Sequence, residues 1–362
     1  MNPGPRRPDR ALPALCAAVW IGLTFAGLSC STPPSQIPVD VLQPQTRADA
    51  DNPPSPEELD PQPVEAPNQE PAKPPPASPT TTKSARDWLA LGDEAYARKD
   101  LSTAEDAYRK ASDLDSTLTP AYLGLALALR KQDRLEGSLL ATEEALRLQP
   151  DYAEALANLG NLRFRTGQPD EAKKLLRRAI ELKPDHAEAH LTLGVVLHAE
   201  GDLQGAADAY RRSAELDPTV VLAHSNLGIA LDGLGDNTGA IEAYRRAIEI
   251  NPEYAPAHNG LGKVLWQDGQ VAEAVQAMQQ AVRLQPDFAL AHLNLVAAML
   301  ELEQFERAWD HLYQARALGA EPVPGLLDAL AKRMPDPRRQ PTSQPADPAP
   351  TNTDPDAEDD TP

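Results

Sequence analysis

An all-α array of helical repeats between two proline-rich flanks is the architecture this 362-residue sequence predicts. Three observations carry that expectation. A set of Leu, Gly, Ala and Pro residues recurs every 34 positions between Leu91 and Ala315, and a fixed period of that length marks a repeat architecture. The prolines, 37 in all, are about twice as frequent as in an average protein, yet they are partitioned rather than scattered. Aromatic residues make up only 4%, which argues against a large β-sandwich or barrel. Lys and Arg total 34 against 54 Asp and Glu, a net charge of −20. This argues against nucleic acid as a main partner, because phosphate binding needs a basic face. Both cysteines, Cys16 and Cys30, lie in the first 30 residues, so no later disulfide, thiolate metal site or Cys nucleophile is expected.

Residues 1–29 read as an export signal. Arg6, Arg7 and Arg10 precede Ala11–Ser29, a stretch without charge and mostly apolar, the order of a secretory signal. Nineteen uncharged residues would also just span a bilayer as an uncleaved anchor, and an ordinary cleaved signal is the other alternative. The segment ends Ala26-Gly27-Leu28-Ser29-Cys30 and turns polar at Ser31. This resembles the bacterial lipobox, with Leu28 two residues before the cysteine rather than three. The resemblance implies acylation of Cys30, cleavage before it, and, through Ser31, sorting to the periplasmic side of the outer membrane. Several acyl chains on Cys30 would suffice for stable anchoring at ~0.8 kcal/mol per buried CH₂. Residues 30–83 then form a linker. Residues 31–83 carry 15 prolines, eight acids and three bases. Such a composition predicts a disordered, extended, polyproline-rich tether with an upper reach of roughly 160 Å.

Residues 84–320 hold the repeats. Pro150, Pro184, Pro218, Pro252 and Pro286 are 34 apart, as are Gly160, Gly194, Gly228 and Gly262. Leu91, Leu125, Leu159, Leu193, Leu227, Leu261 and Leu295 form an unbroken series at the same period. Two alanine series join them: one runs from Ala104 to Ala308 with Ser138 in one place, the other from Ala111 to Ala315 with Ser213 in one place. The pattern resembles the tetratricopeptide repeat, a 34-residue pair of antiparallel helices. The resemblance implies a right-handed α-solenoid of about seven helix-turn-helix repeats, starting at Ala85, Thr119, Ala153, Ala187, Val221, Ala255 and Ala289. On that alignment the Leu, Gly, two Ala and Pro fall at positions 7, 8, 20, 27 and 32. Small residues at 8 and 20 let the paired helices approach, a bulky residue at 24 fills the seam, and Pro at 32 ends the second helix. In the second repeat Ala126, Ser138 and Thr142 replace the expected Gly, Ala and aromatic, which predicts looser packing. A polar-faced end cap is expected of a solenoid, and 321–334, with Gly325–Arg333 at its centre, reads as a capping helix. Residues 335–362, with eight prolines, seven acids and two bases, read as a disordered acidic tail.

His190, His224, His258 and His292 recur at position 4. The resemblance makes that a packing position, as for Trp88 and Tyr122, so these histidines are expected to be structural and no metal or cofactor is expected. His186-Ala187-Glu188-Ala189-His190 does not complete a His-Glu-x-x-His motif, and Gly260-Leu261-Gly262-Lys263 lacks the spacing and Ser/Thr of a phosphate loop. No nucleophile elbow appears, so the chain is not expected to be an enzyme or to bind a small-molecule substrate. The candidate binding surface is the concave groove of first helices. Asn158, Asn226 and Asn294 occupy position 6, with Asn259 at position 5 and Asn161 at position 9. An amide both donates and accepts and so pairs with any peptide backbone. The arrangement is similar to the asparagine ladder of the O-linked GlcNAc transferase repeats, interrupted here by Gly124, Thr192 and Gly260; a purely structural role for these amides is the alternative. Phe164, Trp266 and Leu300 at position 12 are candidate apolar anchors or core residues, and Arg163, Arg165 and Lys263 are basic residues near the groove. The expected function is a membrane-tethered adaptor or scaffold that binds a protein or peptide partner in cell-envelope assembly or secretion. A self-associating structural module and a non-catalytic subunit positioning an envelope enzyme are the alternatives.

Overall fold

The computed structural model describes residues 83–322 and 324–338. The expected export signal, Cys30, nearly all of the expected tether and most of the expected tail lie outside the described residues. Among those described there are fifteen α-helices and no strand. Seven pairs follow one another: α1 Ala85–Ala97 and α2 Leu101–Leu114; α3 Thr119–Lys131 and α4 Leu135–Leu148; α5 Ala153–Arg165 and α6 Pro169–Leu182; α7 Ala187–Ala199 and α8 Leu203–Leu216; α9 Val221–Gly233 and α10 Asn237–Ile250; α11 Ala255–Gln267 and α12 Val271–Leu284; α13 Ala289–Glu301 and α14 Phe305–Ala317. α15 spans Pro324–Arg333. Every first helix begins at the repeat start predicted from the 34-residue period. The chain divides into two compact units after Val264, inside α11, and each is described by itself below.

Local chemistry sets the helix ends. Ser84 and Asp87 form a reciprocal capping box at the start of α1. Asp100, Asp202 and Asp236 each accept a backbone N–H three residues on, capping α2, α8 and α10. The turn inside every pair needs one left-handed residue at position 15. Gly167, Gly201, Gly235 and Gly269 supply it with φ of 79–84°, while Lys99, Asp133 and Glu303 adopt φ of 58–62° at the same place. A residue with a Cβ is strained there.

The seam between neighbouring repeats is built around position 24. The Tyr108 ring lies between Gly92 of its own repeat and Gly124 of the next; a Cβ at either glycine would stand 2.6 or 2.4 Å from it. Tyr244 is held in the same way between Gly228 and Gly260. Both rings are almost fully buried. Position 6 of one repeat therefore faces position 24 of the repeat before it.

The second repeat is not loosely packed, contrary to expectation. Ser138 and Thr142 are fully buried. Ser138 Oγ donates to the Ala126 carbonyl at 2.7 Å, and Thr142 Oγ1 donates to the Ser138 carbonyl at 2.6 Å. Asn158 Nδ2 donates to Thr142 Oγ1 at 2.7 Å. A hydrogen-bonded chain occupies the space that an apolar side chain fills elsewhere, and every hydroxyl in it is satisfied.

The position-4 histidines close the inter-repeat turns. Nε2 of His190, His224, His258 and His292 lies 3.0, 3.3, 2.8 and 3.1 Å from the carbonyl of Pro184, Pro218, Pro252 and Pro286. A carbonyl only accepts, so Nε2 carries the hydrogen. The Tyr122 hydroxyl donates to the Ser116 carbonyl at 3.4 Å from the equivalent place. In the second and the fourth to seventh repeats a donor at position 4 thus ties the first helix to the turn that follows the preceding second helix; Leu156 in the third repeat has none.

In the unit from Leu265 onward, α15 docks on α14 through Leu326 and Leu330, both buried. Trp309 Nε1 donates to the Met334 carbonyl at 3.2 Å. Tyr313 donates to Asp336, and the Arg338 guanidinium lies 3.7 Å from the Tyr313 ring centroid. The first residues of the acidic tail are thereby held on α14.

Candidate functional site

Within the unit that ends at Val264, successive first helices touch one another: α1 meets α3, α3 meets α5, α5 meets α7 and α7 meets α9. The first helices therefore form the inner wall, and the second helices lie outside. A first helix buries the side facing its partner and leaves positions 2, 5, 9, 12 and 13 toward the inner surface. Several apolar side chains there are only half-buried, Leu191, Val195 and Ile229 among them. They make a strip on α7 and α9 that the core does not absorb.

The asparagines occupy two environments. Asn158, Asn226 and Asn294 are buried, 2–4% exposed, and Asn259 is 7% exposed. Asn158 is engaged with Thr142, and its Oδ1 has no partner; Nδ2 of Asn226 is likewise unpaired. Both polar atoms lie beneath the inner wall rather than on it. Asn161 on α5 is only half-buried and reaches the groove surface. Gly124 and Gly260 lie against the tyrosine ring at position 24 of the preceding repeat, 2.4 and 2.5 Å from where a Cβ would stand, whereas Asn226 fills the same position after Tyr210. Of the candidate apolar anchors, Phe164 is half-buried against the Leu156–Leu176 core cluster. Trp266 and Leu300 are buried, and Trp266 Nε1 donates to Glu301 Oε2 at 2.8 Å.

Charge on the inner wall is organised in pairs. Lys263 on α11 meets Asp232 on α9 at 2.7 Å, both largely shielded. Arg165 pairs with Asp133, and Arg163 reaches Glu143 at 3.3 Å and Glu171 at 3.5 Å. One pair spans further. Arg130 at the end of α3 donates from Nη2 to Glu188 Oε1 at the start of α7, two repeats away, at 2.7 Å. Desolvation opposes ionisation of Glu188, but the Arg130 charge and hydrogen bond, with help from His186 and Lys131, overcome it and hold the carboxyl below its ordinary range. Tyr96 on α1 feels both charges, although desolvation is the main reason its phenol is raised. Sequence reasoning missed this cluster. Tyr96 and Arg130 share position 12 with Phe164, which was a usable signal, but nothing in the spacing links Arg130 to Glu188. Among the described residues no group of three or more His, Cys, Asp or Glu could hold a metal ion, and no described helix is long and apolar enough to cross a membrane.

A model of the tetratricopeptide repeat matches residues 89–153, 157–221, 225–287 and 259–322, more than half of the chain. The chain belongs to the tetratricopeptide repeat family. Tetratricopeptide proteins are generally non-catalytic scaffolds, and the fold supports protein–protein interaction. Solved structures agree on the fold. A chain of the APC/C hetero-tetramer Cut9-Hcn1 superposes with a TM-score of 0.56 at 22% identity, covering 60% of this chain and 43% of that one. This chain therefore spans less than half the length of that relative. Pseudomonas aeruginosa pilF superposes with a TM-score of 0.53 at 18% identity over 60% of this chain and 98% of its own. YrrB, described as a TPR protein with an unusual peptide-binding site, reaches a TM-score of 0.43 at 24% identity, covering 52% of this chain and 97% of its own. No curated protein matches the chain.

Proposed function

We propose that this tetratricopeptide protein is a membrane-tethered adaptor that captures a protein or peptide partner in the groove of its first helices, in cell-envelope assembly or secretion. The observation that carries the reading is the strip of half-buried Leu191, Val195 and Ile229 beside the half-buried amide of Asn161. Apolar groups offer area, and an amide offers backbone pairing to an extended or helical peptide. The other asparagines are buried and support the first helices from beneath, Asn158, Asn226 and Asn259 in one unit and Asn294 in the other. Tethering rests on the Ala11–Cys30 segment: acylated Cys30 anchors the chain, and the proline-rich linker holds the repeats away from the membrane. No cofactor or small-molecule substrate enters this function.

The test is cross-linking from the groove in living cells. A photoreactive residue at Val195 is expected to capture a defined protein, identified by mass spectrometry, whereas one at Glu215 on the outer face of α8 is not. Equal labelling from both positions, or none from Val195, removes the groove as the binding surface. Recovery of only the chain itself from Val195 would turn the reading toward self-association.

A further inference from the structure

The outer side of the unit that ends at Val264 carries a repeated feature that the groove does not use. An open cleft of about 450 Å³ lies between the second helices α6 and α8, with α7 beneath it. His190, Leu193 and Leu197 form its floor, and Arg177 and Arg212 stand at its rim. A second cleft, of about 320 Å³, lies between α8 and α10 and is built from residues 34 positions further on, among them Leu227, Leu231, Arg211 and Arg246. Position 19 is glycine in both repeats, Gly205 and Gly239, which leaves the mouths open. Positions 25 and 26 of the third, fourth and fifth repeats are all arginine, in a chain of net charge −20, and all six are exposed. Arg178, Arg211, Arg212 and Arg246 make ion pairs three residues away on their own helices with 47–51% of the arginine surface exposed, and exposed pairs of that kind exchange readily with another carboxylate. Arg177 and Arg245 form no ion pair with a described residue. Apolar cleft and arginine therefore alternate across three repeats, a surface that matches an extended segment carrying apolar residues and acids in turn. The chain itself shows such a segment in place. After α15, Pro335-Asp336-Pro337 lies on α14, where Tyr313 at position 25 donates to Asp336 and the Arg338 guanidinium sits 3.7 Å from the Tyr313 ring centroid. A proline-flanked acid thus already occupies position 25 of the last second helix.

We infer that residues 57–70 of the chain's own proline-rich linker dock along α6, α8 and α10, with Leu59 and Val64 in the two clefts and the acids on the arginines of positions 25 and 26. That stretch holds five acids, no base and three prolines, and its Asp60-Pro61 repeats the Asp336-Pro337 pair. The linker joins the repeats at Ser84, at the start of α1 in the same unit. The 24 residues between Leu59 and Ser84 reach up to roughly 75 Å when extended, enough to arrive at α8, seven interhelix steps of about 8–10 Å from α1. A covalently attached segment meets this face at an effective concentration on the order of millimolar, so modest contacts hold it. Docked, the linker has part of its length taken up on the outer face; released, it regains its full span. The device goes beyond the groove function and leaves the first helices free.

The test places a photoreactive benzoylphenylalanine at Leu59 of the full chain, irradiates it in dilute, low-salt solution and maps the products by mass spectrometry. A monomer-sized product labelled on α6, α8 or α10 is expected. Labelling should fall at least about fivefold in 1 M salt, where the screening length is only ~3 Å. The same loss is expected when Arg177→Ala, Arg211→Ala and Arg245→Ala are combined, and when Glu57→Gln, Glu58→Gln and Asp60→Asn are combined. Circular dichroism checks the fold of the arginine variant, and the acid variant, which leaves the helices untouched, decides if that fold is lost. Labelling of the first helices, of residues beyond Arg338 or of a second copy in a dimer-sized product overturns the inference. So does the absence of labelling, or labelling that survives both sets of substitutions. Capture of a partner from Val195 in cells would still stand in any of these cases, so the two claims fail separately.

Discussion

At the scale of single residues, the seam between repeats is decided by volume. Tyr108 is gripped between Gly92 and Gly124, and the ring cannot retreat from one glycine without meeting the other. Gly124→Ala is therefore expected to destabilise the chain by about 1–3 kcal/mol, as overpacking of a filled core does. Combining it with Tyr108→Leu should recover much of that loss through a positive coupling, although the Tyr108 hydrogen bond to Asp93 at 2.9 Å is given up. Urea unfolding of the four proteins of the cycle measures this, and strict additivity would contradict it. The same geometry shows why the position-6 series was only partly legible. The recurrence of Asn158, Asn226 and Asn294 is visible in the chain, but their burial is not. Burial follows from the packing of one repeat against the next, which places position 6 against a residue 16 positions earlier in the chain and on a different helix.

At the scale of elements, each helical pair depends on one backbone conformation. Position 15 is left-handed in all seven repeats, and in three of them the residue is not glycine. A side chain with a Cβ is strained there by roughly 1–2 kcal/mol, partly offset by the greater unfolded-state entropy of glycine. Glu303→Gly is accordingly expected to raise stability by about 0.5–1 kcal/mol, seen as a higher denaturation midpoint with an unchanged slope. A lower midpoint would mean that the Glu303 side chain holds something its backbone angle does not reveal. The starts of the first helices were legible in the sequence, since the 34-residue period sets them; the caps Ser84, Asp100, Asp202 and Asp236 emerged with the structure. The structural reading of the position-4 histidines also followed from the repeat. Their partners did not: a ring donating to the carbonyl of the proline six residues earlier is a feature of the folded turn.

At the scale of the whole molecule, charge and proline divide the chain into working parts. The −20 charge splits into +2 for residues 1–30, −5 for 31–83, −12 for 84–334 and −5 for 335–362. The basic end precedes the uncharged Ala11–Ser29 stretch, and acid dominates everything after Cys30. If Cys30 carries the anchor, Cys30→Ala should move the chain from the membrane fraction to the soluble envelope fraction and leave its N-terminal segment uncleaved or cleaved elsewhere. Membrane retention with unaltered processing would dismiss the lipoprotein reading. By itself the sequence determined the helical repeat, its register, its number of units and the two proline-rich flanks. All of these follow from periodicity and composition, which act locally and survive in one dimension. Only the tertiary structure decided which asparagines lie under the groove wall and which reach its surface. It also replaced the expected looseness of the second repeat with the Asn158–Thr142–Ser138 chain, and it brought Arg130 to Glu188 across 58 residues. Those facts depend on how one repeat turns against the next, and that rotation is set by packing between side chains far apart in the sequence.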